Sequence, residues 1–359
     1  MVRAFIKKNG TYLVSLIFRI YYVVFSISYP LLALKDELPI HALNVYAAVS
    51  VATMVLSFFS FRVYRISVTQ VRSLAILVSL LNIAFFCTKL QANAAYCYFF
   101  AIAMGAAASS IEISSLSLAT KNNDDKVILR SSLVMMNILK VTGIAFGFLI
   151  GCLVSSGETA RQIGYYSIAI IASLCILLSI EMAPTSLTTE RFKGVSLIAP
   201  HQAGKMGIFL FSITLFALDL AVFGFWFTAL PTSLKEGGWE LEIIGALLAA
   251  EAISHAASQK TWHRLAGRFG DLKIYFSSLA LHISMLTFMM AADFKSIGPI
   301  FLAFVLLGIS NSGTFVTSSA YYYTRDFNLG KFQLIAVHQV ASSFGKLLGP
   351  LIALQFMKM

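Results

Sequence analysis

The sequence predicts an all-α polytopic membrane protein with about eleven transmembrane helices. Three observations predict it. Apolar runs of about 20 residues recur from Thr11 almost to the C-terminus, and stretches such as Leu74–Cys87 and Ser167–Ile180 carry no charge. A run of that length spans the hydrocarbon core as a helix, because every backbone group is then satisfied internally. The composition agrees: of 359 residues, 58% are hydrophobic and only 12% charged, against roughly 25% charged in a soluble domain. Finally, the basic residues collect in alternate connecting loops.

In chain order the runs place helices at about 11–34, 40–61, 71–88, 93–120, 130–154, 163–183, 205–231, 241–260, 272–292, 297–323 and 331–357. The N-terminal segment and every second loop after it hold 18 Lys and Arg, whereas the opposite loops hold five (Lys35, Lys89, Arg161, Lys235 and Lys295). Cytoplasmic loops carry such an excess, so the N-terminus is assigned to the cytoplasm of a cell with an inner (plasma) membrane. Eleven spans then put the C-terminus outside. A reporter fused after Met359 is expected on the non-cytoplasmic side, and a cytoplasmic signal would show the spans to be miscounted.

The net charge of +11 is that loop excess and does not point to nucleic acid. The four cysteines (Cys87, Cys97, Cys152, Cys175) are scattered in apolar runs without CxxC spacing, as small packing residues are. The basic start, MVRAFIKKNG, leads into a run too long for a signal peptide, so it reads as a retained first helix. The sequon at Asn9–Thr11 faces the cytoplasm in this orientation and should be silent. The chain contains no phosphate-binding GxxxxGK[ST] loop, no GxSxG and no HExxH, so no cofactor, metal or catalytic centre is expected.

The halves repeat. Span four reads MGAAASSIEISSLSLAT from Met104, and span ten reads LGISNSGTFVTSSAYYYT from Leu307. Gly105 aligns with Gly308, Ser109 with Ser312 and Ser115 with Ser318. Gly143 and Gly147 of span five align with Gly345 and Gly349 of span eleven, which pairs Asn137 with Gln339. Parallel repeats of this kind build transporters with a substrate path between the halves. The expected organisation is a six-helix bundle over 1–183, a cytoplasmic linker over 184–204 and a five-helix bundle over 205–359.

These features resemble the major facilitator superfamily. That family has two six-helix bundles, a linker after span six, and a Gly-x-x-x-Asp-Arg-x-Gly-Arg-like motif after spans two and eight. After span eight this chain reads His263-Arg-Leu-Ala-Gly-Arg268-Phe-Gly270-Asp271. Arg268 and Gly270 match the motif, while Gly267 replaces its acid and His263 its first glycine. The equivalent stretch of the first half, Phe61–Arg65, is degenerate. The antiporter glycine pattern of span five is partial: Gly143, Gly147 and Gly151 are present, but Cys152 stands in the proline position. The resemblance implies an MFS-like two-bundle fold, with spans one, four, seven and ten lining a cavity, and a twelfth span that this chain is not seen to carry. Arg268 and Gly270 would then serve as the gating motif.

Ionisable residues inside a membrane are costly and face a cavity or one another. Six stand inside spans: Arg19, Glu112, Lys140, Asp219, Glu251 and Lys346. Arg19 and Glu112 each lie about 8 residues from the cytoplasmic end of their span, roughly 12 Å deep, so they can meet. Arg19–Glu112 and Asp219–Lys346 are either fixed bridges between helices or working groups. In the working reading, Arg19, Tyr22, Glu112, Lys140, Trp226, Asn311 and Gln339 bind substrate. Proton coupling falls to Asp219, favoured for its midplane depth, with Glu251 and His255, four residues apart on one helical face, as a relay. The aromatics Tyr21, Tyr22, Phe225, Trp226, Tyr321 and Tyr322 either stack on an amphipathic solute or pack.

The expected function is secondary active transport of a small organic, anionic or amphipathic solute by alternating access, as a monomer and coupled to protons, with efflux slightly favoured. The rivals are a metabolite uptake permease and a non-transporting membrane enzyme or receptor-like protein.

Overall fold

A long apolar run in a bilayer can satisfy its backbone only as helix or closed barrel, and the computed structural model takes the first course, with no strand among the described residues. It describes residues 2–35, 48–49, 51–56, 68–87, 94–121, 126–182, 202–291, 296–324 and 331–357. The helices are α1 (Val2–Lys35), α2 (described over 51–56), α3 (Val68–Cys87), α4 (Ala94–Lys121), α5 (Lys126–Ser155), α6 (Glu158–Glu181), α7 (Gln202–Ala221), α8 (Leu241–Phe269), α9 (Asp271–Ala291), α10 (Ile297–Thr324) and α11 (Lys331–Met357). Most of the expected linker and the stretch Phe61–Arg65 lie outside the described residues. Among the described residues six stretches are long and apolar enough to cross a membrane, including Ala95–Leu116, Arg130–Ser155 and Ile297–Tyr323.

Several helices outrun the apolar runs that announced them. α8 continues to Phe269, about two and a half turns past the expected end at 260, through Trp262, His263, Arg264 and Arg268. Hydropathy marks only the segment immersed in hydrocarbon, and a helix extends beyond it wherever polar residues of adequate helix propensity follow.

α1 packs on α4, α5 and α6, and α3 packs on α4 and α6. In the second half, α7 packs on α11, and α10 on α8 and α9. Among the described residues the two groups meet chiefly along a seam between α5 and α8, with further contacts of α11 on α4 and α10 on α5.

The repeat glycines explain how the helices approach so closely. A Cβ on Gly143 would strike the carbonyl oxygen of Leu16, and one on Gly345 would lie 2.5 Å from the carbonyl oxygen of Phe216. Gly147 meets the Ile20 carbonyl in the same way that Gly349 meets the Leu220 carbonyl, at 3.0 and 2.6 Å. Gly105 lies against the Val49 carbonyl, and Gly308 against that of Glu251. α5 therefore sits on α1 in the register that α11 keeps on α7. The same correspondence puts Asp219 at the station of Arg19, Glu251 at that of Val49, and His255 at that of Thr53.

α7 is interrupted by a π-helical segment, Val222–Ala229, and resumes over Leu230–Glu236. Pro231 supplies a reason: its ring would clash with the carbonyl four residues back, and a widened turn relieves the clash. The wide turn shows in the N–H of Leu230 donating to the Phe225 carbonyl and Thr228 Oγ1 donating to the Phe223 carbonyl at 2.8 Å. Gly224 in this turn lets the backbone of Gly349 approach to 2.7 Å of the Cβ position.

Candidate functional site

A cavity of about 150 Å³ lies between the halves. α1 contributes Arg19 and Tyr22, α5 Asn137 and Lys140, α7 Asp219 and Phe223, α8 His255, α10 Asn311, Phe315 and Ser318, and α11 His338, Ser342 and Lys346. Its wall is otherwise aliphatic. Helices five and eleven therefore supply more of the lining than the resemblance implied, because their glycines draw them onto α1 and α7 and turn Lys140, Ser342 and Lys346 inward.

One carboxylate organises the first half. Arg19 of α1 donates to Glu112 Oε2, and Lys140 Nζ of α5 donates to Glu112 Oε1 at 2.8 Å. Arg19 and Glu112 are 9% and 8% exposed along their side chains. Glu112 does not line the cavity itself; it stands behind the two cations that do. Arg19 also sits over the Tyr22 ring, 5.8 Å from its centroid, a cation–π contact.

The second half is arranged differently. Asp219 and Lys346 line the same cavity but form no salt bridge with each other. Asp219 has no hydrogen-bond or ion-pair partner among the described residues. Lys346 Nζ lies 5.5 Å from the centroid of Phe223. Among the described residues the cavity lining thus holds three cations and one carboxylate, with two further carboxylates, Glu112 and Glu251, behind it.

Glu251 lies just beyond the lining. Asn311 Nδ2 donates to its Oε1 at 3.3 Å, and His255 Nδ1 is 3.9 Å from the same oxygen. Asn137 Nδ2 lies 3.4 Å from His255 Nε2, across the seam between the halves. An amide donor there leaves the imidazole proton on Nδ1, facing Glu251. The first-half stations of Glu251, His255 and Asn311 are Val49, Thr53 and Ala108. The fold packs without these polar groups, so their burial in the second half is not a demand of the architecture.

Other expected positions separate. Gln339 is buried, 4% exposed, and does not line the cavity. Trp226 lies in the π segment, but its side chain is outside the described residues. Tyr322 stacks on Phe211 at 3.6 Å and donates to the Leu334 carbonyl at 3.1 Å, so it packs within its own bundle. Arg268 is exposed and lies over the ring of its neighbour Phe269. Gly270, at φ +92°, ends α8 in a conformation that favours glycine.

The charge that does join the halves at this end is the next residue. Asp271, first in α9, accepts from Arg130 of α5 at 2.7 and 2.9 Å. Sequence reading missed this pair because Arg130 counted only as a loop cation and Asp271 stands where the motif has its final arginine. Arg130→Ala is expected to cost about 1.5–3 kcal/mol, as charge-assisted hydrogen bonds do, and to raise the labelling rate of a Ser318→Cys probe in the cavity. Unchanged thermal stability and labelling would leave the pair without a sealing role.

No protein-family profile and no curated protein sequence matches this chain. Solved structures do. The fold is similar to the crystal structure of the human organic anion transporter MFSD10 (TETRAN), with a TM-score of 0.66 at 12% identity, covering 97% of this chain and 92% of that one. It is also similar to the nucleoside transporter NupG, with a TM-score of 0.65 at 13% identity, covering 97% and 90%. The chain has the major facilitator fold. Near-complete coverage on both sides extends that statement to both halves, and identity this low confines it to the fold.

Proposed function

We propose that the protein is a secondary active transporter that moves a small organic anion by alternating access, coupled to protons. The observation that carries this reading is the cavity wall, with Arg19, Lys140 and Lys346 facing one space in which Asp219 is the only lining carboxylate among the described residues. A desolvated carboxylate or phosphate entering that space would meet the three lining cations and accept charge-assisted hydrogen bonds. Both structural neighbours are transporters, one of organic anions by its description, which supports the reading. Thermal-shift measurements across a panel of organic carboxylates and sulfonates test it. Stabilisation by at least one anion, lost at high salt, is expected; no response to any member would count against an anionic solute.

Asp219 is assigned the coupling role, with Glu251 and His255 as its alternates. It is a cavity carboxylate without a hydrogen-bond or ion-pair partner among the described residues. Asp219→Asn is expected to abolish pH-driven accumulation in proteoliposomes while leaving anion-induced thermal stabilisation detectable. Full concentrative activity in that variant would move the coupling role to the Glu251–His255 pair. Efflux is the favoured direction, on the glycine pattern of α5, and sided proteoliposome uptake decides it.

A further inference from the structure

The α5–α8 seam has a second face, turned away from the cavity. There a groove of about 580 Å³ runs between the two helices. We propose that this groove binds an anionic phospholipid, with an acyl chain between α5 and α8 and the phosphate on Lys260 and Arg264.

The groove is lined by Met135, Ile138, Phe146 and Leu149 of α5 and by Ile253 and Ala257 of α8, with Lys260 at one end. Met135, Phe146 and Ile253 are about half exposed or more (54%, 52% and 57%), so the groove opens to the bilayer. Alanines at 145, 256 and 257 make the depression by leaving space where larger side chains would close it. The hydroxyl of Thr142 is already donating to the Ile138 carbonyl at 2.7 Å, so it offers no donor to a ligand. From Met135 to Leu149 the groove extends about 21 Å at 1.5 Å per residue, enough for a chain crossing one leaflet of about 15 Å.

The mouth decides the headgroup. Lys260 and Arg264 are both exposed and four residues apart, on one face of α8. Neither has an ion-pair partner among the described residues; the acid nearest Arg264 in sequence, Asp271, is held by Arg130, and the one nearest Lys260, Glu251, accepts from Asn311. Two unpaired cations beside an apolar slot at the edge of a membrane match a lipid phosphate carrying net negative charge. Because α5 and α8 belong to opposite halves, the bound lipid touches both sides of the seam.

The test needs no transported solute, so its failure leaves the proposed function standing. The full chain is reconstituted in vesicles of equal parts phosphatidylglycerol and phosphatidylethanolamine, extracted, and examined by native mass spectrometry. Retention of one phosphatidylglycerol is expected at about fivefold or more over phosphatidylethanolamine, one cation near the surface accounting for about a fivefold preference. The Lys260→Ala/Arg264→Ala variant, altered only at exposed positions, should lose that preference. Ala257→Leu, which fills the groove, should lose bound lipid of both kinds. Retained lipid matching the vesicle composition, or unchanged preference in the double variant, overturns the proposal.

Discussion

Arg19→Gln should weaken binding of the transported anion by about 10- to 150-fold, the loss of one charge-assisted hydrogen bond of about 1.5–3 kcal/mol. Its effect on stability should be smaller than that of Glu112→Gln. Without Arg19, Glu112 keeps Lys140 at 2.8 Å. Without the carboxylate, two buried cations face each other unpaired, and stranding a buried charge costs about 3–5 kcal/mol. The Arg19→Gln/Glu112→Gln double variant separates the two readings of the cluster. If the cluster only ties α1, α4 and α5 together, the double variant, which leaves Lys140 alone without its carboxylate rather than two stranded cations, recovers part of the thermal stability and recovers binding. If Arg19 grips the anion, that part of the stability recovers and binding does not. Binding at the wild-type level in the double variant would rule the substrate role out.

Gly345→Ala should destabilise the protein by about 1–3 kcal/mol, the usual cost of overpacking a tight contact. Its Cβ would lie 2.5 Å from the Phe216 carbonyl and 2.8 Å from Asp219 Cβ, so α11 must back away from α7. That displacement also parts Lys346 from Asp219, and anion binding should fall with stability. Gly143→Ala tests the other half, where the new methyl meets the Leu16 carbonyl and lies 3.1 Å from Arg19 Cβ. Gly157→Ala is the control, since nothing lies within 4 Å of its Cβ position. Equal thermal stability for Gly345→Ala and Gly157→Ala would show that close backbone approach does not set the register of α11 on α7.

Much of the candidate site was legible because charge in a bilayer is so costly that it announces itself. Arg19, Glu112, Lys140 and Asp219 could be singled out from hydropathy alone, and equal depth along α1 and α4 anticipated that Arg19 and Glu112 can meet. Lys140 joining the same carboxylate was not legible. Depth along a helix says nothing of its rotation about its axis, which here follows from glycine contacts between α5 and α1. For the same reason Asp219 and Lys346, matched in depth, do not bridge, and Gln339 stays out of the cavity while His338 beside it faces in. The Arg130–Asp271 pair was hidden because it joins segments far apart in the chain, and no local pattern marks such a partnership.

By itself the sequence determined the class of structure. Runs of apolar residues have one stable form available in hydrocarbon, and their number, their spacing and the repeated glycines carry the helical, two-half organisation. Only the tertiary structure decided which faces of those helices meet, because faces are set by close packing between backbones distant in sequence. That packing gathers three cations into one cavity, leaves Asp219 without an ion-pair partner among the described residues and opens a second, apolar groove on the outer side of the α5–α8 seam.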